Sequence, residues 1–309
     1  MNKIKKYSLT FLIFTIIILL FKYNYILQIS VIDGVNLWLN KVFPSLFIMF
    51  IINDLIINLN ILNNLTKYIS PIFNKIFKTS SNSCEVFFLS IFSGTPSSAF
   101  IIKEMLNNNK ITLNDANKLI SFTFFSNPLF LYNILQLSFN KYITIKIILI
   151  HYLSNIIIGL IYQREKNNQK IMITNTVEKE KNIFLLLPKS IKKSLDTQFA
   201  ILGTIIFYMI ITNLIMKILP INNCLEITIK GILEITQSLN GLSKLNMQSI
   251  IKEIIAISII SFGGLSIHTQ ILSIINDTKI TYKSFLIGRI LHVLISAITY
   301  WYLYIITIS

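Results

Sequence analysis

Hydrophobic positions in this chain come in long blocks, not in the alternation of a half-buried strand or the one-sided stripe of a soluble helix. The stretches 119–140, 197–216, 254–276 and 290–309 each run for 20 or more residues without a charge. A helix needs about 20 apolar residues to cross a hydrocarbon core of roughly 30 Å, so each predicts a membrane-crossing helix. The apolar blocks at about 42–62, 84–106, 116–139, 143–162, 196–219, 250–275 and 283–308, with one at 7–21, give roughly eight membrane segments. Lys3, Lys5 and Lys6 precede the first block and no small-residue cleavage site follows it. Residues 1–30 therefore read as a retained signal anchor with its start in the cytoplasm. Between 163 and 195 the pattern lapses into Asn, Gln, Thr and many cations, among them Arg164, Lys166, Lys170, Lys189 and Lys193. This basic polar linker separates a first membrane repeat, 40–162, from a second, 196–309.

The two halves carry similar punctuation. Phe92-Ser93-Gly94 opens a stretch that closes at Lys110-Ile111-Thr112, and Phe262-Gly263-Gly264 opens one that closes at Lys279-Ile280-Thr281. Upstream, Pro44-Ser45 before a run ending in Asn53-Asp54-Leu55 pairs with Gly203-Thr204 before one ending in Thr212-Asn213-Leu214, an insertion between 220 and 248 absorbing the difference in spacing. Internal duplication is characteristic of transporters. With the N-terminus inside, five full crossings would leave the basic linker outside, against the positive-inside tendency. A re-entrant 84–106 removes that conflict and makes the repeat inverted. The expected fold is an all-α polytopic membrane bundle of two inverted repeats with broken or re-entrant helices.

Each half also holds an apolar segment interrupted by small and polar residues. Pro96 lacks an N–H and its ring clashes with the preceding turn, so the helix should open near 91–93 and free carbonyls there. Gly263-Gly264 costs about 1 kcal/mol per residue relative to Ala inside a helix. Unsatisfied backbone in hydrocarbon is tolerated only against protein, water or a ligand. Matched breaks in two halves point to a transporter site, whereas one alone is as well explained by close helix packing. Ser126-Asn127-Pro128 is a third break, where Pro128 disfavours helical geometry at Asn127 and leaves its amide as a cap or a ligand. The expected substrate-binding set is Ser93, Gly94, Pro96, Ser126, Asn127, Gly263, Gly264, Ser266, His268 and Gln270. Glu234, in a stretch rich in hydrogen-bonding groups, is a proton or coupling-ion site if it lies within the bilayer and merely solvated if interfacial. His268, in a broken segment, is a better proton-coupling candidate than His151 among its apolar neighbours. Arg289 and His292 share a face, and Arg289 is expected to snorkel towards an interface, where Asp54 is also placed.

Composition narrows the function. The chain is 53% hydrophobic and 13% charged, too apolar to cover a soluble surface. Its net charge of +15 comes almost wholly from Lys, with Arg164 and Arg289 as the Arg residues, whereas nucleic-acid readers favour the planar fork of Arg; no nucleic-acid partner is expected. Cys84 and Cys224 suggest no disulfide framework, and His151, His268 and His292 lack the spacing of a metal site. No Gly-rich phosphate loop or nucleophile–base pair is visible, so neither cofactor nor enzymatic activity is expected.

The combination Phe92-Ser93-Gly94-x-Pro96-x-x-Ala99, Ser121-Phe122, Ser126-Asn127-Pro128-Leu129-Phe130, Gly231-x-x-Glu234-x-Thr236 and Ser261-Phe262-Gly263-Gly264-Leu265-Ser266-Ile267-His268-x-Gln270 resembles the YlbJ-type sporulation integral membrane proteins of endospore-forming Firmicutes. The resemblance spans about residues 40–300, departing at Ser98, where a second Gly is usual, and at Thr95, where an aromatic is. It implies kinship with the wider group that carries the nucleoside-recognition Gate domain and a role in making resistant spores. The resulting expectation is a multi-pass protein in a membrane of the sporulating cell. It would be a solute transporter or channel-like carrier with its site between the repeats, or alternatively a non-transporting scaffold for cortex and coat assembly. Expected partners are the lipid bilayer, an unnamed small solute and other sporulation membrane proteins, with homo-oligomerisation left open.

Overall fold

A computed structural model describes residues 3–59, 61–162, 182–219 and 222–308, and they are helical apart from short joints. Helix α1 (Lys3–Lys22) hands over at Tyr23 to α2 (Asn24–Leu37), which continues through a π-helical turn (Trp38–Val42) into α3 (Phe43–Asn58). Pro44 does not stop this rod, because it lies in the first turn of α3 where a missing N–H is harmless. Then follow α4 (Asn63–Phe77), α5 (Ser83–Ser93), α6 (Ser97–Asn107), α7 (Leu113–Phe122), α8 (Pro128–Leu135) and α9 (Lys141–Tyr162). Beyond the stretch 163–181, which lies outside the described residues, come α10 (Ile183–Ile218), α11 (Asn223–Leu233), α12 (Ile235–Gly241), α13 (Ser249–Phe262), α14 (Gly264–Ile275) and α15 (Tyr282–Ile308).

The interrupted elements are of two kinds. In the first kind the chain turns back on itself. Helices α5 and α6 pack together, and the Asn82 amide donates to the Lys110 carbonyl at 2.8 Å, closing the open end of the hairpin. Each arm is 11 residues long, about 16 Å at 1.5 Å per residue and so half a bilayer. Gly94 makes the tip at φ 70°, and a Cβ there would lie 2.5 Å from the Asn127 nitrogen. Helices α11 and α12 form a second hairpin with Glu234 at its tip, tied by the Ser238 hydroxyl to the Ile227 carbonyl at 2.7 Å. In the second kind the chain breaks and goes on: α7 and α8 are separated by non-helical 123–127, α13 and α14 by Gly263 at φ 89°.

Contacts fix two ends of the bundle. At one, Lys103 pairs with Asp277 at 2.8 Å and the Thr281 N–H donates to the Asn117 side chain; the Lys103 ammonium holds the Asp277 carboxyl below the usual carboxylate range. At the other, Tyr300 donates to Glu253 at 2.7 Å and Ser138 to the Leu239 carbonyl. The first hairpin opens at the former, called the basic end below, and the second opens at the latter. Rods 24–58 and 183–218 run antiparallel between the ends and pack on each other.

The architecture is the expected all-α polytopic bundle, and it corrects several boundaries. Five rods among the described residues are long and apolar enough to cross a membrane, not eight: Asn24–Asn58, Lys141–Tyr162, Ile183–Ile218, Ser249–Ile275 and Tyr282–Ile306. The difference of three arises because 84–106 and 116–139 are divided into half-length pieces and because the first block gives only a shorter apolar helix, Ile13–Lys22. Residues 183–195 are not linker but the first turns of α10, started by the Asn182 side chain accepting from the Phe184 N–H. The breaks at Gly94 and Gly263, paired in the sequence, differ in kind, since the chain reverses at one and continues at the other.

Candidate functional site

All four interruptions meet. The tips of the two hairpins supply Thr95, Pro96, Glu234, Ile235 and Thr236; the break before α8 supplies Ser126, Asn127 and Phe130; the first turns of α14 supply Ser266, Ile267 and Gln270. Together with Val42 and Leu46 from the first rod and Ile201 and Ile205 from α10, they enclose a chamber of about 50 Å³. At roughly 10–15 Å³ per water-sized sphere, this is room for a few waters or one small cation.

The polar walls of this chamber are unevenly satisfied. The Asn127 side-chain oxygen accepts from the N–H groups of Leu129 and Phe130 at 3.0 Å each, and its amide donates to the Phe92 carbonyl at 2.8 Å. One side chain thus caps α8 and ties it to the first hairpin. The Glu234 carboxylate accepts from the Gln237 N–H at 2.9 Å and from the Thr236 hydroxyl, capping α12. It is 2% exposed, so it is not solvated. Gln270 donates to the Thr204 hydroxyl of α10 at 2.6 Å. By contrast, the hydroxyl oxygens of Thr95 and Ser126 have no hydrogen-bond partner, although these residues are only 7% and 4% exposed. Thr95, Ser126 and Glu234 thus bring three oxygen-bearing side chains to one small cavity, and a buried polar atom without a partner is costly.

Breaking helices inside a membrane leaves carbonyls that something must satisfy. Here the uninterrupted helices α9 and α15 do it with a polar strip. The Tyr152 hydroxyl lies 3.1 Å from the Ile91 carbonyl and 2.9 Å from that of Ser126, and Asn155 donates to the Phe124 carbonyl at 2.8 Å. His151 Nε2 accepts from the Ser126 N–H at 3.1 Å. Arg289 joins both broken spans, with Nη2 2.8 Å from the Ser121 carbonyl at the end of α7 and Nη1 3.4 Å from the Ser261 carbonyl at the end of α13. Its guanidinium stacks 3.9 Å over the Phe124 ring and touches no carboxylate among the described residues. The countercharge is the negative ends of two helix dipoles. Gly288 makes the reach possible: a Cβ there would sit 2.3 Å from the Ser121 oxygen. His292 Nδ1 accepts from Arg289 at 2.7 Å and its Nε2–H donates to the His151 carbonyl at 3.0 Å, which defines its tautomer.

Of the residues singled out from sequence, Pro96, Ser126, Asn127, Ser266, Gln270 and Glu234 line the chamber. Ser93 instead bonds back to the Leu89 carbonyl at 2.8 Å, Gly94 abuts Asn127, and Gly263 and Gly264 pack against Phe124 and Ile235. His268 points elsewhere, with its ring nitrogens 2.7 Å from the Tyr282 hydroxyl and 3.0 Å from the Phe262 carbonyl; it closes the end of α13 and does not line the chamber. Arg289 does not snorkel: it is fully buried, because its partners are interior carbonyls. His151, read as having ordinary apolar neighbours, holds a broken backbone segment. Thr95 and Thr236 were not among the expected contacts, although Thr95 adjoins Pro96 and Thr236 stands two residues from Glu234.

The chain is 25% identical, over an alignment of 304 residues, to the sporulation integral membrane protein YlbJ of Bacillus subtilis (strain 168), covering 86% of this chain and 74% of that protein. No family model matches, and no solved structure matches.

Proposed function

We propose that this YlbJ-type protein is a carrier or channel-like passage in a membrane of the sporulating cell, with its solute site at the chamber where the four interruptions meet. The observation that carries this reading is the cavity itself. Thr95, Ser126, Asn127, Glu234, Thr236, Ser266 and Gln270, drawn from all four breaks, line it among apolar neighbours, and interrupted helices at membrane depth are tolerated only where they face protein, water or a ligand. The multi-pass membrane placement rests on five crossing-length helices and on kinship with an integral membrane protein. Sporulation is carried over from the relative's name.

In this reading the bundle is two inverted repeats, in the order rod, hairpin, interrupted span, uninterrupted span. Residues 24–58 correspond to 183–218, the hairpin at Gly94 to that at Glu234, the break at Asn127 to that at Gly263, and α9 to α15. Two reciprocal bonds between the rods support the pairing: Ser190 donates to Asp54 at 2.7 Å, and Asn213 donates to Ser30 at 2.8 Å. Hairpins entering from opposite ends follow from it. Both flanks of 163–181 lie at the end that holds Lys78, Lys103, Lys110, Lys118, Lys279 and Lys283, which positive-inside bias assigns to the cytoplasm. Glu234 is the coupling group, taking up and releasing a proton from the chamber, or holding a small cation to which the hydroxyls of Thr95 and Ser126 add neutral oxygen ligands. No covalent chemistry is involved.

Purified protein in proteoliposomes, offered a panel of labelled polar solutes under an imposed proton or sodium gradient, tests this. Accumulation of one solute class is expected, with Glu234→Gln slowing it roughly tenfold or more, in line with the cost of removing an intramembrane charge from a working site. The scaffold alternative stands instead if nothing in the panel moves and spore defects follow shuffling of 163–181 but not Asn127→Ala or Gln270→Ala.

A further inference from the structure

We infer that the passage is closed by two chemically different gates: a charged lock of Asp54, Lys193 and Glu104 at the basic end, and an uncharged amide latch of Ser30, Asn213 and Gln237 at the other. The inference rests on the carrier reading and adds to it the groups that must separate for solute to leave.

Three cavities follow one another along the two antiparallel rods. The chamber touches Val42 and Leu46 on one rod and Ile201 and Ile205 on the other. Towards the basic end a second cavity, about 40 Å³, touches Phe50 and Asp54 on one rod and Lys193 and Thr197 on the other, and it shares Pro96 with the chamber. In the opposite direction a vestibule of about 610 Å³ touches Asp33 and Lys41 on the first rod and Met209 on the second, and reaches the second hairpin at Gln237, the neighbour of Thr236 in the chamber wall. The order along both rods is the same, so the cavities form one line from end to end.

Each terminal cavity has a cross-tie from the rods to a hairpin. At the basic end Lys193 of α10 lies 2.5 Å from Asp54 of α3 and 3.6 Å from Glu104 of the first hairpin. Ser190 also donates to Asp54, and the ammonium lies 4.6 Å from the Phe100 ring centroid. The Asp54 side chain is 11% exposed, Glu104 24% and Lys193 38%, so the cluster is shielded at Asp54 and reaches water at the ammonium. At the opposite end Gln237 of the second hairpin donates to Asn213 of α10 at 2.8 Å, and Asn213 donates to Ser30 of α2 at 2.8 Å. The two ties occupy corresponding places, yet the charged one closes on a narrow cavity and the neutral one borders a wide vestibule. Partial burial strengthens an ion pair beyond what a neutral amide bond supplies, so the basic end is the one held shut.

A chamber reporter, Ser266→Cys, tests this in the full-length protein with Cys224→Ala and the buried Cys84 retained. A small, cationic, membrane-impermeant methanethiosulfonate is applied from either side of oriented vesicles. Labelling is expected from the vestibule end and to be slow from the basic end. Lys193→Gln should raise the basic-end rate on the order of tenfold, the size of a typical coupling between sites. Lys193→Arg should leave that rate low, which separates loss of the lock from loss of the fold, and the swap Asp54→Lys with Lys193→Asp should restore it. An unchanged basic-end rate in Lys193→Gln, with vestibule-end labelling intact, overturns the lock and leaves the carrier reading standing. A reporter that stays unlabelled from both ends in every variant overturns the passage, and the carrier reading with it.

Discussion

At the basic end of the cavity line, an ammonium sits between two carboxylates beside a cavity of about 40 Å³; at the other, a serine, an asparagine and a glutamine hand hydrogen bonds along beside a vestibule of about 610 Å³. The same two rods carry both ties, but the hairpins beside them differ, the second arm being 11 residues in the first and 7 in the second, so the ends differ in backbone as well as in side-chain chemistry. Two antiparallel rods can serve two opposed gates if one end keeps charges and the other has amides, which makes the two closures unequal in strength.

This contrast exists only while the breaks are held in register, and the largest expected effect comes from undoing that. Arg289→Leu strands the carbonyls of Ser121 and Ser261 in the interior and should lower stability by about 3–5 kcal/mol, read from thermal unfolding in detergent. A loss below 1 kcal/mol would mean that the guanidinium does not bridge the spans. Next comes Gly94→Ala, which forces a Cβ against the Asn127 backbone at a left-handed φ and should cost about 2–3 kcal/mol. Gly203→Ala is its control, a helical glycine with nothing within 4 Å of a new Cβ, and should be neutral or stabilising by up to about 1 kcal/mol. Asn127→Ala removes a cap and the tie to Phe92 together, about 2 kcal/mol by the same assay. The smallest effect belongs to Asp277→Asn at the Lys103 pair, which should leave the unfolding midpoint unchanged, and a clear loss would show that surface charge holds the basic end.

Much of this was legible in the residues. Pro96 and Pro128 disfavour a helix interior, although Pro71 and Pro188 are held inside α4 and α10, so breaks close to 94–96 and at Asn127 could be read from sequence, with Asn127 left as a cap or a ligand. The basic linker together with the Gly94–Pro96 break was enough to suggest a re-entrant hairpin. Other features were hidden for physical reasons. Glu234 caps α12 from an extended conformation that no proline or glycine marks at that position, so the second hairpin reads as one polar helix. Arg289, His151 and Asn155 lie in unbroken helices and work by reaching across to other elements, which spacing along one chain cannot reveal. Residues 183–195 read as linker because Lys189, Lys192 and Lys193 mask the apolar positions that α10 presents, and one of those lysines belongs to the lock.

The claim on which the rest depends is that hairpin tips entering from opposite ends face each other across one polar chamber. Thr95→Cys paired with Thr236→Cys, in the Cys224→Ala background, measures this through a short bifunctional methanethiosulfonate linker. Rapid cross-linking between the two tips is the result predicted here. If no cross-link forms while each cysteine singly reacts with a lipid-soluble maleimide, the tips face lipid and the chamber does not exist.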